Sequence, residues 1–145
     1  MIWFDFPMRL RSALKCLCCL TRSGGALQSQ EIATRTGDSP AETAKVLQLL
    51  VWGGFVTSRR GSKGGFQLAA RPDQITAGKV IKFFLAKHPL AKHPVDGDGD
   101  CPAMCALRET VTPCQEAFAR LTLAEIVAGY TKRSRKRNVE QAGAR

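Results

Sequence analysis

The segment that most restricts the fold of this 145-residue chain is a glycine-rich basic stretch, RRGSKGGFQL, at Arg59–Leu68. Three of the residues 61–65 are glycine, and each glycine destabilises a helix interior by roughly 1 kcal/mol. The runs on either side, Phe55–Ser58 and Phe66–Ala69, are short and rich in β-prone residues. We therefore predict a β-hairpin with a basic tip. The basic residues of this tip are Arg59, Arg60 and Lys63.

Apolar residues at helical spacing predict a first helix over residues 9–22. Its apolar stripe comprises Leu10, Leu14, Leu17 and Cys18. The same helix carries three cysteines, Cys16, Cys18 and Cys19. Because an unpaired cysteine behaves as a small apolar residue, we interpret these three as core-filling side chains.

A helix-turn-helix pattern follows the first helix. A short helix is predicted to be capped by Ser29 and to end at Gly37. The next helix is predicted to begin at Pro40, after an N-cap at Ser39, and to end near Trp52. Its inward face comprises Val46, Leu47 and Leu50.

Beyond the hairpin, the pattern predicts a helix over Ile75–Leu85 and a polar loop over Lys87–Asp100. A further helical stretch is predicted from Cys101 to Gly129. The tail, Thr131–Arg145, is basic and lacks a core face, so we expect it to be disordered. These boundaries give a helix-turn-helix domain with a hairpin over residues 8–72, a second region over 73–130, and a tail over 131–145.

The net charge of +10 is unevenly distributed. Residues 1–72 hold 10 Lys/Arg against 4 Asp/Glu, whereas residues 73–130 hold 6 against 7. A basic amino-terminal half is typical of a surface that faces phosphates. No apolar run approaches the ~20 residues that span a bilayer. Charged residues also interrupt the apolar start, which excludes a signal peptide, so we expect a cytoplasmic protein without a membrane partner.

The hairpin residues resemble a known family, the IscR/NsrR-type bacterial regulators, which are small winged-helix dimers that often sense through an iron–sulfur cluster. The signature is Gly54-Phe-Val-x-Ser-x-Arg-Gly-x-x-Gly-Gly-Phe-x-Leu68. Met8-Arg-Leu resembles the usual start of the family, and the resemblance extends over about residues 8–128. Further landmarks are Arg71-Pro, Ile75-Thr and Thr122-Leu-Ala-Glu-Ile.

The resemblance implies a mainly α fold with a small β-hairpin wing, that is, a winged helix-turn-helix with a C-terminal dimerisation helix at Leu107–Leu121. It also implies a homodimer that binds a near-palindromic operator in double-stranded DNA. The start of the recognition helix then supplies the DNA contacts. Its candidate residues are Ser39, Glu42, Thr43, Lys45 and Gln48, with Arg59, Arg60 and Lys63 on the wing.

Ser39 also has an alternative structural role, and Glu42 and Thr43 each have a specific candidate contact with a base. Ser39 is equally suited to capping the helix. Glu42 can accept a hydrogen bond from cytosine N4, and Thr43 can contact a thymine methyl group. We interpret Trp52 as a packing residue at the helix end rather than as a base-stacking one.

The family's sensor site consists of three cysteines ahead of the dimerisation helix, and this chain offers Cys101, Cys105 and Cys114. Their spacing departs from the family pattern. Either Cys101 and Cys105 match the last two family positions, with Val95 in place of the first, or all three bind in a rearranged loop. Non-cysteine ligands occur in the family, and a fourth ligand could also come from Cys16 or Cys19 of a partner chain. The nearby candidate ligands are His88, His93, Asp96, Asp98 and Asp100.

Three uses of these cysteines remain open: a [2Fe–2S] or [4Fe–4S] cluster, purely structural or redox cysteines, and a zinc site completed by one histidine. The leading hypothesis is a regulator that senses redox state, iron or nitric oxide. The alternatives are a cluster-free repressor, constitutive or thiol-switched, and a winged-helix protein-interaction module. An enzyme with a small-molecule substrate is not expected, because the sequence contains no Ser-His-Asp set and no nucleotide-binding loop.

Overall fold

The computed structural model describes residues 8–61, 64–85, 113 and 116–142. Three helices come first: α1 (Met8–Ser23), α2 (Ser29–Thr36) and α3 (Pro40–Trp52). An antiparallel hairpin of β1 (Val56–Arg59) and β2 (Gly65–Leu68) follows, then α4 (Ala77–Leu85) and α5 (Leu123–Ala142). Within the described ranges, no helix is long and apolar enough to cross a membrane. The mainly α fold with a β-hairpin wing is confirmed.

Helix α1 lies at the centre of the structure and packs against α2, α3, α4 and α5. Leu10 and Leu17 are fully buried, as the sequence predicts, but Leu14 and Cys18 are only half-buried. Residues between the members of the predicted stripe are buried as well, because α1 packs against helices on several sides. Its other buried members are Ser12, Ala13, Cys16 and Leu20.

The turn between α2 and α3 forms as the sequence predicts. Gly37 ends α2 with a φ of 72°, and its amide donates to Ala33 O at 2.9 Å. Ser39 caps α3, where its Oγ accepts from the amide of Glu42 at 3.2 Å. The predicted cap of α2 is wrong by one residue, since the N-cap is Gln28 and Ser29 is already helical.

The position of Gln28 follows from tertiary contacts that join the start of α2 to the hairpin. Leu27 forms a β-bridge with Phe66, with N–O distances of 2.9 and 2.8 Å. Gln28 does not cap α2 with its side chain; its Nε2 donates to Gly64 O at 2.8 Å. Strand β2 therefore pairs with β1 along one edge and with Leu27 along the other, which fixes the hairpin against the helices.

The strands begin one residue away from the predicted runs. Val56 pairs with Leu68 and Arg59 pairs with Gly65, whereas Phe55 and Ala69 lie outside the strands. Gly65 has a φ of 138°, and a Cβ atom there would lie 2.6 Å from Leu27 O. This position requires glycine because the hairpin crosses the backbone of Leu27 too closely for a side chain.

The predicted helix from Cys101 to Gly129 lies partly outside the described residues, and the described part is interrupted. Residues 116–120 are helical, but Thr122 forms a bridge with Thr76. A new helix, α5, then starts with a capping box. The Glu125 carboxylate accepts from the Thr122 amide at 2.8 Å, and the Thr122 hydroxyl accepts from the Glu125 amide at 3.2 Å. Hydrogen bonds from Thr122 lower the pKa of Glu125.

Two predictions for the carboxyl-terminal half are wrong. Helix α4 starts at Ala77, because Ile75 O instead accepts from the Leu123 amide at 2.9 Å. The tail is also not disordered from Thr131 onward, since α5 continues to Ala142. A helix that is already nucleated by packed residues extends readily through Lys, Arg, Glu and Gln, which all have high helix propensity.

Candidate nucleic-acid interface

Helix α3 has a buried face and an exposed face. Val46, Leu47 and Leu50 are fully buried, which confirms the predicted inward face. Lys45 and Gln48 are exposed on the opposite side, together with Ser39 at the start of the helix. Two further residues on this side, Ala41 and Ala44, are exposed but are not among the predicted site residues. Their small side chains leave the helix backbone accessible to a ligand. Their positions outside the buried stripe of α3 would have indicated from the sequence that they are exposed.

Thr43 does not belong to the exposed face. Its side chain is completely buried, so the prediction that it contacts a thymine methyl group is wrong. The reason is helical spacing: Thr43 lies three, four and seven residues before Val46, Leu47 and Leu50, on the same stripe. Its hydroxyl is buried without a hydrogen-bond partner in the structure.

We expect Thr43→Val to raise the free energy of unfolding by roughly 1–2 kcal/mol, because an unsatisfied buried hydroxyl is removed while the side-chain shape is kept. Urea unfolding followed by circular dichroism measures the change. The matched control is Thr34→Val in α2, where the exposed hydroxyl donates to Gln30 O at 3.0 Å and no gain is expected. A less stable Thr43→Val protein would show that the hydroxyl has a partner after all.

Glu42 and Ser39 lie at the amino-terminal end of α3 with their polar atoms partly engaged. The Oγ of Ser39 is used as the helix cap, as the alternative interpretation holds. The Glu42 side chain is 33% exposed, and its carboxylate lies 3.9 Å from Arg9 Nε on α1. Arg9 was not among the predicted site residues. It places an exposed guanidinium beside the carboxylate of Glu42.

The described part of the wing presents its basic residues to solvent. Arg59 ends β1 and Arg60 follows it, and both are exposed. Lys63 and its neighbour at 62 lie outside the described residues. Only three residues separate α3 from β1, and this turn is held by the Phe55 amide, which donates to Leu50 O at 2.9 Å. The hairpin therefore follows the recognition helix at a fixed position.

Trp52 is the last residue of α3 and lies at the carboxyl end of the helix. Its side chain is 69% exposed, and its ring meets Phe83 edge to face at 6.4 Å between centroids. Phe83 in turn contacts Phe55 at 5.7 Å and Phe84 at 5.3 Å. Trp52 thus packs at the helix end, as we predict from the sequence.

The cysteines of α1 lie in two different environments. Cys16 is fully buried, and burial raises the pKa of its thiol to about 12. Cys18 and Cys19 are half-buried, and burial raises the pKa of each, while the guanidinium of Arg35 opposes this for Cys19. Both line a cleft of about 580 Å³ between α1, α2 and α5. Its other lining residues are Lys15, Arg22, Arg35, Thr36, Ile126, Val127 and Tyr130.

We expect iodoacetamide at pH 8 to modify Cys19 and Cys18 in the folded protein but to leave Cys16 unmodified. Cys16 is inaccessible, and with a pKa of about 12 only about one in ten thousand of its thiols is ionised at that pH. Tandem mass spectrometry of the tryptic peptide 16–22 separates the three sites, and denaturation in urea should expose all of them. Equal reaction rates for Cys16 and Cys19 without urea would contradict the burial of Cys16.

The predicted metal site lies elsewhere in the chain. Cys101, Cys105 and Cys114 are outside the described residues, as are the candidate ligands His88, His93, Asp96, Asp98 and Asp100. In the part of the chain that the structure describes, no group of three or more His, Cys, Asp or Glu could hold a metal ion. The cysteine ligands therefore stay a prediction from the sequence.

Comparison with solved structures identifies the same architecture in bacterial regulators. The structure of CymR (YrzC), the global cysteine regulator of B. subtilis, superposes with a TM-score of 0.72 at 24% identity, covering 86% of this chain and 97% of that one. T. potens IscR gives a TM-score of 0.68 at 21% identity, covering 88% and 89%. The oxidized form of Staphylococcus aureus CymR gives 0.67 at 20% identity, covering 86% and 96%. At these identities, the likeness establishes the fold.

Sequence comparison establishes the family. Protein aau3 of Rhizobium meliloti (strain 1021) is 32% identical over 103 residues, which is 70% of this chain and 64% of that protein. This chain thus spans a little under two thirds of that relative. The family model described as "Rrf2: Iron-dependent Transcriptional regulator" matches residues 7–129. Members of this family are transcriptional regulators rather than enzymes. The chain belongs to the Rrf2 family of transcriptional regulators.

Proposed function

We propose that this protein regulates transcription by binding specific double-stranded DNA through the exposed face of α3 and the basic wing. The observation that carries the proposal is the short, hydrogen-bonded connection between these two elements. This connection joins the exposed Lys45 and Gln48 of α3, which precede it, to the exposed Arg59 and Arg60 of the wing, which follow it. A helix of this kind fits the major groove, and a basic hairpin fits the neighbouring backbone or minor groove.

The residue types suggest separate roles within this surface. Gln48 can bond adenine through N6 and N7, Lys45 can donate to guanine O6 and N7, and Glu42 can accept from cytosine N4. Arg59, Arg60 and Lys63 carry no base information in this scheme; they neutralise phosphates and fix the register. Ser39 contributes by capping α3, which keeps the first helical turn in place.

A single winged helix covers one half-site, so we propose that the protein acts as a homodimer on a near-palindromic operator. The expected dimerisation helix, Leu107–Leu121, lies mostly outside the described residues. Sedimentation of the protein alone and with DNA measures the stoichiometry. Two chains per duplex are expected, and one chain per duplex at saturation would overturn this part of the proposal.

Selection from a pool of randomised duplexes tests sequence-specific binding. We expect the wild-type protein to enrich a pair of inverted half-sites. The variant with Lys45→Ala and Gln48→Ala should lose the preference at a few base pairs, each worth about 1–3 kcal/mol of discrimination. The control is Thr34→Val, on the exposed face of α2, which should keep the wild-type preference. A pool that stays random after several rounds would contradict sequence-specific binding.

The family's iron-dependent description supports a further proposal, that Cys101, Cys105 and Cys114 bind an iron–sulfur cluster. Thiolates suit such clusters because they are soft anionic ligands. Purification without oxygen should yield a coloured protein that contains iron and acid-labile sulfide, and Cys105→Ala should remove both. A colourless, iron-free protein whose DNA binding does not respond to oxidant favours the cluster-free repressor, and zinc in its place favours a structural site.

A further inference from the structure

We infer that the basic carboxyl-terminal part of α5 is a second DNA-contacting element that extends the surface formed by α3 and the wing. This inference rests on the proposed DNA binding. It arises from the region that the sequence alone predicts to be a disordered tail. There the structure has instead a continuous helix as far as Ala142.

Helix α5 begins with a packed part and continues into a basic part, Thr131–Ala142. In the packed part, Leu123 is fully buried, and Ile126 and Val127 are half-buried against the cleft of α1. Tyr130 extends these contacts, because Arg22 Cζ lies over its ring at 5.7 Å from the centroid. Residues 131–133 are all exposed. The twelve residues of Thr131–Ala142 rise about 18 Å along the helix axis.

The basic part carries a concentrated positive charge. Residues 131–145 hold 6 basic residues and 1 acidic residue. Five of the basic residues fall within six consecutive positions: Lys132, Arg133, Arg135, Lys136 and Arg137. At 100° per residue, these five positions occupy an arc of about 200° on the helix together with Val139 and Glu140, and Thr131, Ser134, Asn138, Gln141 and Ala142 occupy the rest.

This charge pattern favours a polyanion as the partner. Like charges three and four residues apart, such as Lys132 with Lys136 and Arg133 with Arg137, destabilise a helix by a few tenths of a kcal/mol per pair. A row of phosphates removes this repulsion and releases counterions. A lipid surface is disfavoured, because a helix that lies on a membrane also needs an apolar face. Over Thr131–Ala142 only Val139 and Ala142 are apolar.

The position of the basic part favours DNA in particular. Tyr130 lies over Arg22, in the last turn of α1. The chain then reaches Leu27 in five residues, a span of at most roughly 18 Å. Leu27 is paired with Phe66 of the wing, and Gln28 is bonded to Gly64. The basic part of α5 therefore begins beside the last turn of α1, five residues before the segment that pairs with the wing.

The test uses full-length protein in which all five basic residues of α5 are replaced by glutamine, which has a similar helix propensity. Fluorescence anisotropy with a random-sequence duplex of 40 base pairs gives the affinity against salt concentration. Each phosphate contact contributes about 0.9 to the slope of log K against log salt, so we expect the slope to fall by about 2 to 4. The affinity near 0.15 M salt should fall by about ten- to a hundredfold.

Two controls separate the possible outcomes. The double variant Lys132→Gln with Arg133→Gln is compared with Arg71→Gln with Arg120→Gln, which removes equal charge from exposed side chains elsewhere. Equal losses in these two variants would reflect net charge alone and would overturn the inference. The wing variant Arg59→Gln with Arg60→Gln tests the proposed function separately. If it loses affinity while the α5 variants bind like wild type, DNA binding through the wing stands and the role of α5 is wrong.

Discussion

Replacing Arg59 and Arg60 with glutamine should reduce the affinity for the selected duplex by roughly ten- to a hundredfold at 0.1 M salt. Both side chains are exposed at the end of β1, so their replacement leaves the core intact. Two lost phosphate contacts should lower the slope of log K against log salt by about 2. Base preference should not change, because phosphate contacts carry little sequence information. Anisotropy titrations over a series of salt concentrations measure both quantities.

Arg71→Gln is the matched control for this prediction. Arg71 is 77% exposed and is paired with Asp73 at 2.7 Å, away from the hairpin turn. We expect it to change the slope by much less than either wing arginine. A wing variant that binds as tightly as wild type at every salt concentration would show that the hairpin does not touch DNA. The protein-interaction module would then become the better explanation of the winged helix.

Leu47→Ala should lower stability and Gln48→Ala should weaken base discrimination, although the two residues are adjacent. Leu47 is fully buried, and its truncation should lower the free energy of unfolding by about 2–5 kcal/mol. This is a large share of the 5–15 kcal/mol that stabilises a typical domain. Gln48 is exposed, so Gln48→Ala should leave stability nearly unchanged and should weaken discrimination at one base pair.

Urea unfolding and anisotropy at low temperature, where both variants are folded, measure the two effects. The Leu47→Ala protein should bind DNA almost as well as wild type once it is folded. If Gln48→Ala instead destabilises the protein by several kcal/mol and leaves base preference unchanged, the assignment of the two faces of α3 is wrong.

Local signals predicted the helix-turn-helix because they agree with its tertiary contacts. Gly37 ends α2 in a left-handed conformation, and Ser39 and Pro40 start α3, as their residue types require. The inward face of α3 follows from the spacing of Val46, Leu47 and Leu50. Thr43 lies on the same stripe and is buried, so its polar side chain alone gave the wrong prediction of an exposed DNA contact.

Tertiary contacts decided the features that the sequence did not predict. The cap of α2 moves to Gln28 because Leu27 pairs with Phe66 across about 40 residues of chain. The helix breaks before α5 because Thr122 pairs with Thr76, although the capping-box pattern of Thr122 and Glu125 was a local signal for a new start. The tail has the charge of a disordered segment, yet it continues a helix that is anchored by Leu123. Its order therefore depends on packing that composition does not record.

The proposed DNA-binding surface also includes exposed residues that are not among those predicted from the sequence. Arg9 reaches the start of α3 from α1, a contact that becomes visible only once the helices are packed. The alanines at 41 and 44 matter because they are exposed and small, not because of any motif. The contact of Arg9 follows from the packing of α1 against α3, whereas the two alanines are exposed because they lie outside the buried stripe of α3.

Hydrogen–deuterium exchange with and without the selected duplex tests the central claim most directly. We expect DNA to slow exchange in the first half of α3 and in the residues around the turn between β1 and β2. We also expect unchanged exchange in α4, which contacts Trp52 at the opposite end of α3. Slower exchange in α4 with no change in α3 or the hairpin would contradict the proposed interface.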